Sequence, residues 1–159
     1  MFRVGLIGPE SCGKSTVGRY LSRRYDFVTY VDEYERTYFE QIGRPATSAT
    51  REEVEAIARE QLRRQQQTEG EVVVFDSDLM MIRLWLDIVW GTHPDWLEEG
   101  IRDYGMDTYL LFYPDLPWKN DPTRSHGSDE ERVALFGQYE HAIQQLNIPY
   151  YIVRTRAYA

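Results

Sequence analysis

The sequence predicts an α/β fold: one five-stranded parallel sheet flanked by helices on both faces. Three observations point to it. Strand-like apolar runs alternate with helix-period segments along the chain. The runs are continuously apolar, as in strands covered on both sides. Several of them end in glycine-rich or acidic segments, as expected where strand ends share one ligand-binding edge. With 159 residues the chain has room for a single domain, 1–159, with a real core.

The elements follow in order. Residues 2–7 (FRVGLI) read as a buried strand. A helix is expected over 14–25, where Val17, Tyr20 and Leu21 recur at helical spacing. Residues 27–31 form a second β-rich run that ends at Asp32 and Glu33, and a short helix is expected over 34–42. Residues 43–50 are a loop, closed by Thr50 and Glu53 in a capping-box pattern. A long polar helix over 51–67 buries Val54, Ile57, Ala58 and Leu62 and turns its many charged residues to solvent. Glu69 and Gly70 break it before a third strand, 72–75. Residues 79–90 are apolar on most sides, so a buried helix is expected, with Trp85 and Trp90 in the core. After a turn over 91–94 come a short helix over 95–104, a strand over 108–113 and a Pro- and Gly-punctuated loop over 114–128. An amphipathic helix over 129–146 and a last strand over 150–153 complete the chain.

Composition narrows the function. Eighteen Lys and Arg stand against 26 Asp and Glu, a formal net charge of -8. That balance argues against broad nucleic-acid or anionic-membrane binding. Cys12 is the one cysteine, which excludes an internal disulfide. The N-terminus runs into a strand with no secretory pattern, and no apolar run approaches ~20 residues. The expectation is a soluble cytoplasmic protein with neither a nucleic-acid nor a membrane partner. Oligomeric state has no signal in the sequence.

The strongest motif is GPESCGKST, residues 8–16, with the spacing G-x-x-x-x-G-K-[ST]. The glycines let successive backbone N–H groups point inward at a helix N-terminus, which makes an anion site. Gly8, Glu10, Ser11, Cys12, Gly13, Lys14, Ser15 and Thr16 are therefore the expected nucleotide-binding residues, with ATP and Mg²⁺ as cofactors. Lys14 reaches the outer phosphates, and the Ser15 hydroxyl ligates Mg²⁺. Asp76 ends an apolar strand and is the second expected metal ligand. Asp78 reads equally as a helix cap or a substrate contact. Asp32 and Glu33 end the second strand, where a carboxylate can accept the proton of an attacking hydroxyl. Arg36 lies one turn on, to meet an acceptor or to pair with Asp32. Arg124, in the long loop, is placed to close over a triphosphate as a catalytic residue. Trp118 either packs that loop or stacks on a base. Cys12, at a helix N-terminus beside Lys14, is expected to be a reactive thiolate.

Four segments in the same order, GPESCGKST, YVDEYERTY, VVVFDSDLMMIRLW and PDLPWKNDPTR, resemble the ribosylnicotinamide kinase domain of NadR-type proteins. The resemblance covers nearly the whole chain. It implies a P-loop NTPase, kinase-like fold of the AAA type with a lid loop. It implies transfer of the ATP γ-phosphate to the 5′-hydroxyl of a nucleoside, ribosylnicotinamide, giving nicotinamide mononucleotide. The helix-turn-helix and adenylyltransferase domains usual in such proteins are not expected within these residues. The donor side matches closely. On the acceptor side Asp32 replaces the Pro or aromatic often found there, and the helix over 51–67 has no aromatic residue to stack on a nicotinamide ring. Judged on the residues alone, a kinase for another nucleoside or metabolite, or a stand-alone ATPase or switch module, remains open. A GTPase reading is weaker still, because no N-K-x-D segment follows the fourth strand.

Overall fold

The computed structural model describes residues 1–115 and 128–154. Strands β1 (Phe2–Ile7), β2 (Val28–Val31), β3 (Val72–Asp76), β4 (Thr108–Phe112) and β5 (Tyr150–Val153) form one sheet in the order β2-β3-β1-β4-β5. All neighbouring pairs are parallel. The helices are α1 (Lys14–Arg24), α2 (Tyr34–Ile42), α3 (Arg51–Gln67), α4 (Leu79–Trp90), α5 (Asp95–Tyr104) and α6 (Asp129–Gln145), and a short 3₁₀ turn at Ala46–Ser48 lies inside the expected 43–50 loop. The fold class expected from the sequence is the one observed. Among the described residues no helix is long and apolar enough to cross a membrane.

The strand order positions the site. From β1 the chain steps past the place of β3 to reach β2, then returns through β3 and crosses to β4 on the far side. The loops after β1 and β3 therefore emerge side by side, with Leu6 in register with Asp76. Such a switch point is where open α/β sheets bind ligands.

Both sheet faces are covered, so strand residues on both sides are buried: Val73 and Val74, adjacent in β3, are 0% and 2% exposed. One face holds a small cluster of Leu6, Cys12, Val74 and Phe112 against Val17 and Tyr30. The other holds the main core, where Val73, Phe75, Tyr109 and Leu111 meet α3, α4, α5 and α6. Strand β2 starts at Val28 rather than at residue 27, because the Val28 amide is still held by the Tyr25 carbonyl in the turn after α1.

One expectation is corrected. Helix α4 is not buried all round. Leu79, Met80, Ile82 and Leu86 enter the core, whereas Ile88 and Val89 are about half exposed, at 51% and 54%. Its apolar residues serve two faces, and the second face belongs to the site below.

Helix α1 crosses β2 at Gly18. A Cβ there would lie 2.3 Å from the Tyr30 ring. The helix rests on that ring because the position has no side chain. Gly18→Val is expected to destabilise the protein by about 1–3 kcal/mol, the usual cost of overpacking, read as a lower urea midpoint at unchanged slope.

Candidate active site

The phosphate loop is built by helix-end chemistry. Helices α3, α4 and α6 begin with a side-chain oxygen of Thr50, Asp78 or Ser128 accepting from a first-turn amide. Helix α1 has no such cap: it begins on Gly13, in the left-handed region at φ 92°. Its first-turn N–H groups and the positive end of its dipole are left facing the loop, where they favour an anion. Lys14 Nζ lies across the same loop, donating to the carbonyls of Gly8 (2.8 Å) and Pro9 (3.1 Å).

Asp76 closes the site from the neighbouring strand. It is 1% exposed. Ser15 Oγ donates to its Oδ2 at 2.5 Å, and the Tyr30 hydroxyl donates to the same atom at 2.8 Å. Burial, and then the Asp76 charge, hold the Tyr30 phenol above its ordinary pKa, so it remains a donor. Asp76 Oδ1 is buried with no hydrogen-bond partner. An orphaned carboxylate oxygen beside a helix-start hydroxyl is a hard-oxygen donor set, and it fits Mg²⁺. Among the described residues no group of three or more His, Cys, Asp or Glu could hold a metal.

A cavity of about 300 Å³ adjoins the loop. Gly8, Glu10 and Lys14 line it on the loop side, and Glu33 and Glu35 line it from the start of α2. Trp85, Ile88, Val89 and Trp90 come from the second face of α4, and Tyr139 from α6. Burial, followed by the charges of Glu35, Glu10 and Glu33, raises the Tyr139 phenol far above its ordinary range. Three carboxylates and two indoles thus share one chamber with the P-loop lysine.

The structure sorts the expected residues. Glu33 faces the cavity, but Asp32 does not: its side chain is 62% exposed and pairs with Arg64 on α3 at 3.4 Å. Neighbours at a strand end point in opposite directions, so the two carboxylates are separated. Arg36 pairs along its own helix with Glu40 at 3.2 Å rather than with Asp32. Asp78 is 2% exposed and serves as the cap of α4, accepting from the Met81 amide and from the Tyr109 hydroxyl. Ser77, at φ 75°, turns the chain so that Asp78 points inward. Thr16 is exposed on α1. Cys12 is 1% exposed, and its thiol donates to the Pro9 carbonyl at 2.7 Å. Lys14 Nζ also reaches its Sγ at 3.8 Å, and burial removes the exposure that the expected reactivity needs. Trp118 and Arg124 lie outside the described residues.

Five residues escaped the sequence reading: Glu35, Trp85, Trp90, Tyr139 and Arg132. The apolar excess of α4 was the available signal for the tryptophans, since a helix covering one core needs only one apolar face. Arg132, on α6, is fully buried and donates to the Ser11 carbonyl at 3.3 Å.

A family model described as an AAA domain matches residues 3–159. The chain belongs to this AAA domain family. It is a distant relative of the trifunctional NAD biosynthesis/regulator protein NadR of Salmonella typhimurium, with 25% identity across 98% of this chain and 38% of that protein. A crystal structure of NadR in complex with NR superposes with a TM-score of 0.73 at 17% identity, over 98% of this chain and 45% of that one. Shikimate kinase from Bacteroides thetaiotaomicron matches with a TM-score of 0.52 at 14% identity, over 95% of this chain and 86% of that one. The AAA domain chain thus spans less than half the length of the NadR proteins that it matches, and it shares a P-loop, kinase-like fold with them and with shikimate kinase.

Burial pushes the Asp78 carboxyl up from 3.8 to about 6. Between those values the native state keeps a proton that the unfolded chain has lost. The stability from this group is complete below about pH 4 and is lost as pH rises through 6. The stability difference between the wild type and Asp78→Asn should therefore shift against the wild type by roughly 2 kcal/mol from pH 4 to pH 7, most of the full difference at 1.36 kcal/mol per unit. Urea unfolding of both proteins at the two pH values measures it.

Proposed function

We propose that this chain is an ATP-dependent kinase for a small hydroxylated acceptor, with ribosylnicotinamide as the best single candidate. One observation carries the reading. The chamber beside Lys14 combines three carboxylates, Glu10, Glu33 and Glu35, with the indoles of Trp85 and Trp90. A nicotinamide ring is flat and, joined to ribose, positively charged. Aromatic faces attract such a cation, and nearby carboxylates add to the attraction. The stacking group that the helix over 51–67 lacks is supplied here by α4. The distant relationship to NadR supports the same acceptor class.

Each residue then has a role. The uncapped N–H groups of α1 and the Lys14 ammonium bind the donor phosphates and neutralise charge as it develops on the transferred phosphoryl group. Ser15 and Asp76 would hold Mg²⁺, which supplies further charge neutralisation on the outer phosphates when bound. Glu33, on the cavity wall with Lys14, accepts the proton of the attacking hydroxyl. Trp85 and Trp90 orient the acceptor and exclude water. Asp32, paired with Arg64 outside the chamber, has no part in this scheme.

The direct test is incubation with ATP, Mg²⁺ and a panel of nucleosides that includes ribosylnicotinamide, with mass spectrometry of the products. Nicotinamide mononucleotide is the expected product. Product from another nucleoside alone would discard this acceptor and keep the kinase. No product from any nucleoside would remove both. Lys14→Ala and Ser15→Ala should each reduce turnover at least ~100-fold while leaving the circular dichroism spectrum unchanged. Trp85→Ala should raise KM for the nucleoside ~10-fold or more, with KM for ATP within about twofold, because loss of a desolvated cation–π contact costs about 2 kcal/mol.

A further inference from the structure

Arg132 heads the largest fully buried side chains. It sits in the first turn of α6. Its Nη2 donates to the Ser11 carbonyl at 3.3 Å. Its Nη1 faces Asp129 at 3.4 Å, a carboxylate that is itself 88% exposed. Its Nε is buried with no partner.

Nothing in the fold alone favours this arrangement. Removing a guanidinium from water costs several kcal/mol, and a partner lying mostly in solvent offsets little of it. The start of a helix is also the wrong end for a cation, since the dipole there favours negative charge. An apolar side chain of similar volume would pack as well or better. A buried, half-compensated cation gains most when an anion is brought beside it.

Its contact shows where that anion would lie. Ser11 belongs to the phosphate loop and takes φ 58°, in the left-handed region that a serine seldom occupies. The carbonyl that this conformation presents is the one Arg132 holds. A carbonyl tied to α6 cannot swing into the loop, where it would repel phosphate oxygens. We propose that Arg132 is a positioning residue for the donor phosphates: it fixes the Ser11 peptide so that the loop keeps its N–H groups inward, and it adds a buried positive charge behind them. The proposal rests on the reading of the loop as the nucleotide site. It also gives α6 a second duty, since the helix that contributes Tyr139 to the acceptor chamber also braces the donor loop.

Two variants separate charge from packing. Arg132→Met keeps the apolar stem and removes the charge, whereas Arg132→Lys keeps the charge and loses the planar fork. Mg-ATP affinity is measured by calorimetry, thermal midpoint by differential scanning, and KM for each substrate by steady-state kinetics. Arg132→Met should retain a midpoint close to that of the wild type yet bind ATP at least ~10-fold more weakly, a loss of about 1.4 kcal/mol. Its nucleoside KM should stay near the wild-type value, and Arg132→Lys should recover part of the ATP affinity. ATP affinity in Arg132→Met equal to that of the wild type would overturn the proposal. So would equal losses of affinity in both variants accompanied by a fall in midpoint, which is the signature of packing alone. If the wild type itself binds no ATP, the nucleotide-site reading fails and this proposal with it. If the wild type binds ATP and Arg132→Met binds it equally well, only the role of Arg132 fails.

Discussion

The site depends on one buried carboxylate. Asp76 ends β3 beside β1 and takes hydrogen bonds from Ser15 at the start of α1 and from Tyr30 on β2. Three chain segments that are far apart in sequence are thus joined at a single oxygen. Burying a carboxylate is unfavourable unless it is bonded or paired, so these donors are conditions of the fold as well as parts of the site. The other oxygen has no partner, which leaves the residue one bond short of satisfaction and ready for a hard cation. Gly18 belongs to the same arrangement, because the close approach of α1 to Tyr30 brings the phenol and Ser15 to one carboxylate.

Around that joint the protein separates two kinds of electrostatic work. The loop side is positive: the start of α1, Lys14 and the buried guanidinium of Arg132 behind Ser11. The adjoining cavity is acidic and aromatic, lined by Glu10, Glu33 and Glu35 together with Trp85 and Trp90 of α4. A formal charge of -8 would otherwise repel a triphosphate. In the proposed kinase reading, the local positive cluster would overcome that repulsion at short range, and the acidic chamber would favour a cationic acceptor.

Much of this was legible in the sequence. Strand and helix positions followed from periodicity and turn residues, because local spacing decides which segments can bury an apolar face. The phosphate loop, the Thr50–Glu53 capping box and the Asp76 strand end are short-range patterns, and each stands where its spacing indicates. Less legible were residues that had to be assigned a direction. Asp32 and Glu33 are adjacent and chemically alike, yet only Glu33 turns to the cavity. Asp78 had two readings that composition could not separate, and its burial against Tyr109 on β4 decided for the cap. Cys12 has the surroundings of a reactive thiol by sequence, but the turn of the loop buries it against Phe112.

By itself, then, the sequence determined the order of elements, the glycine-rich loop at the start of α1 and the strand ends that flank it, since all of these depend on neighbours within a few residues. Only the tertiary structure decided which face of α4 meets the cavity, which carboxylate of a pair lines it, and that Arg132 reaches Ser11 across a separation of 121 residues. Those outcomes depend on strand order and on the direction of each side chain where elements pack, and neither is written in the local spacing of residues.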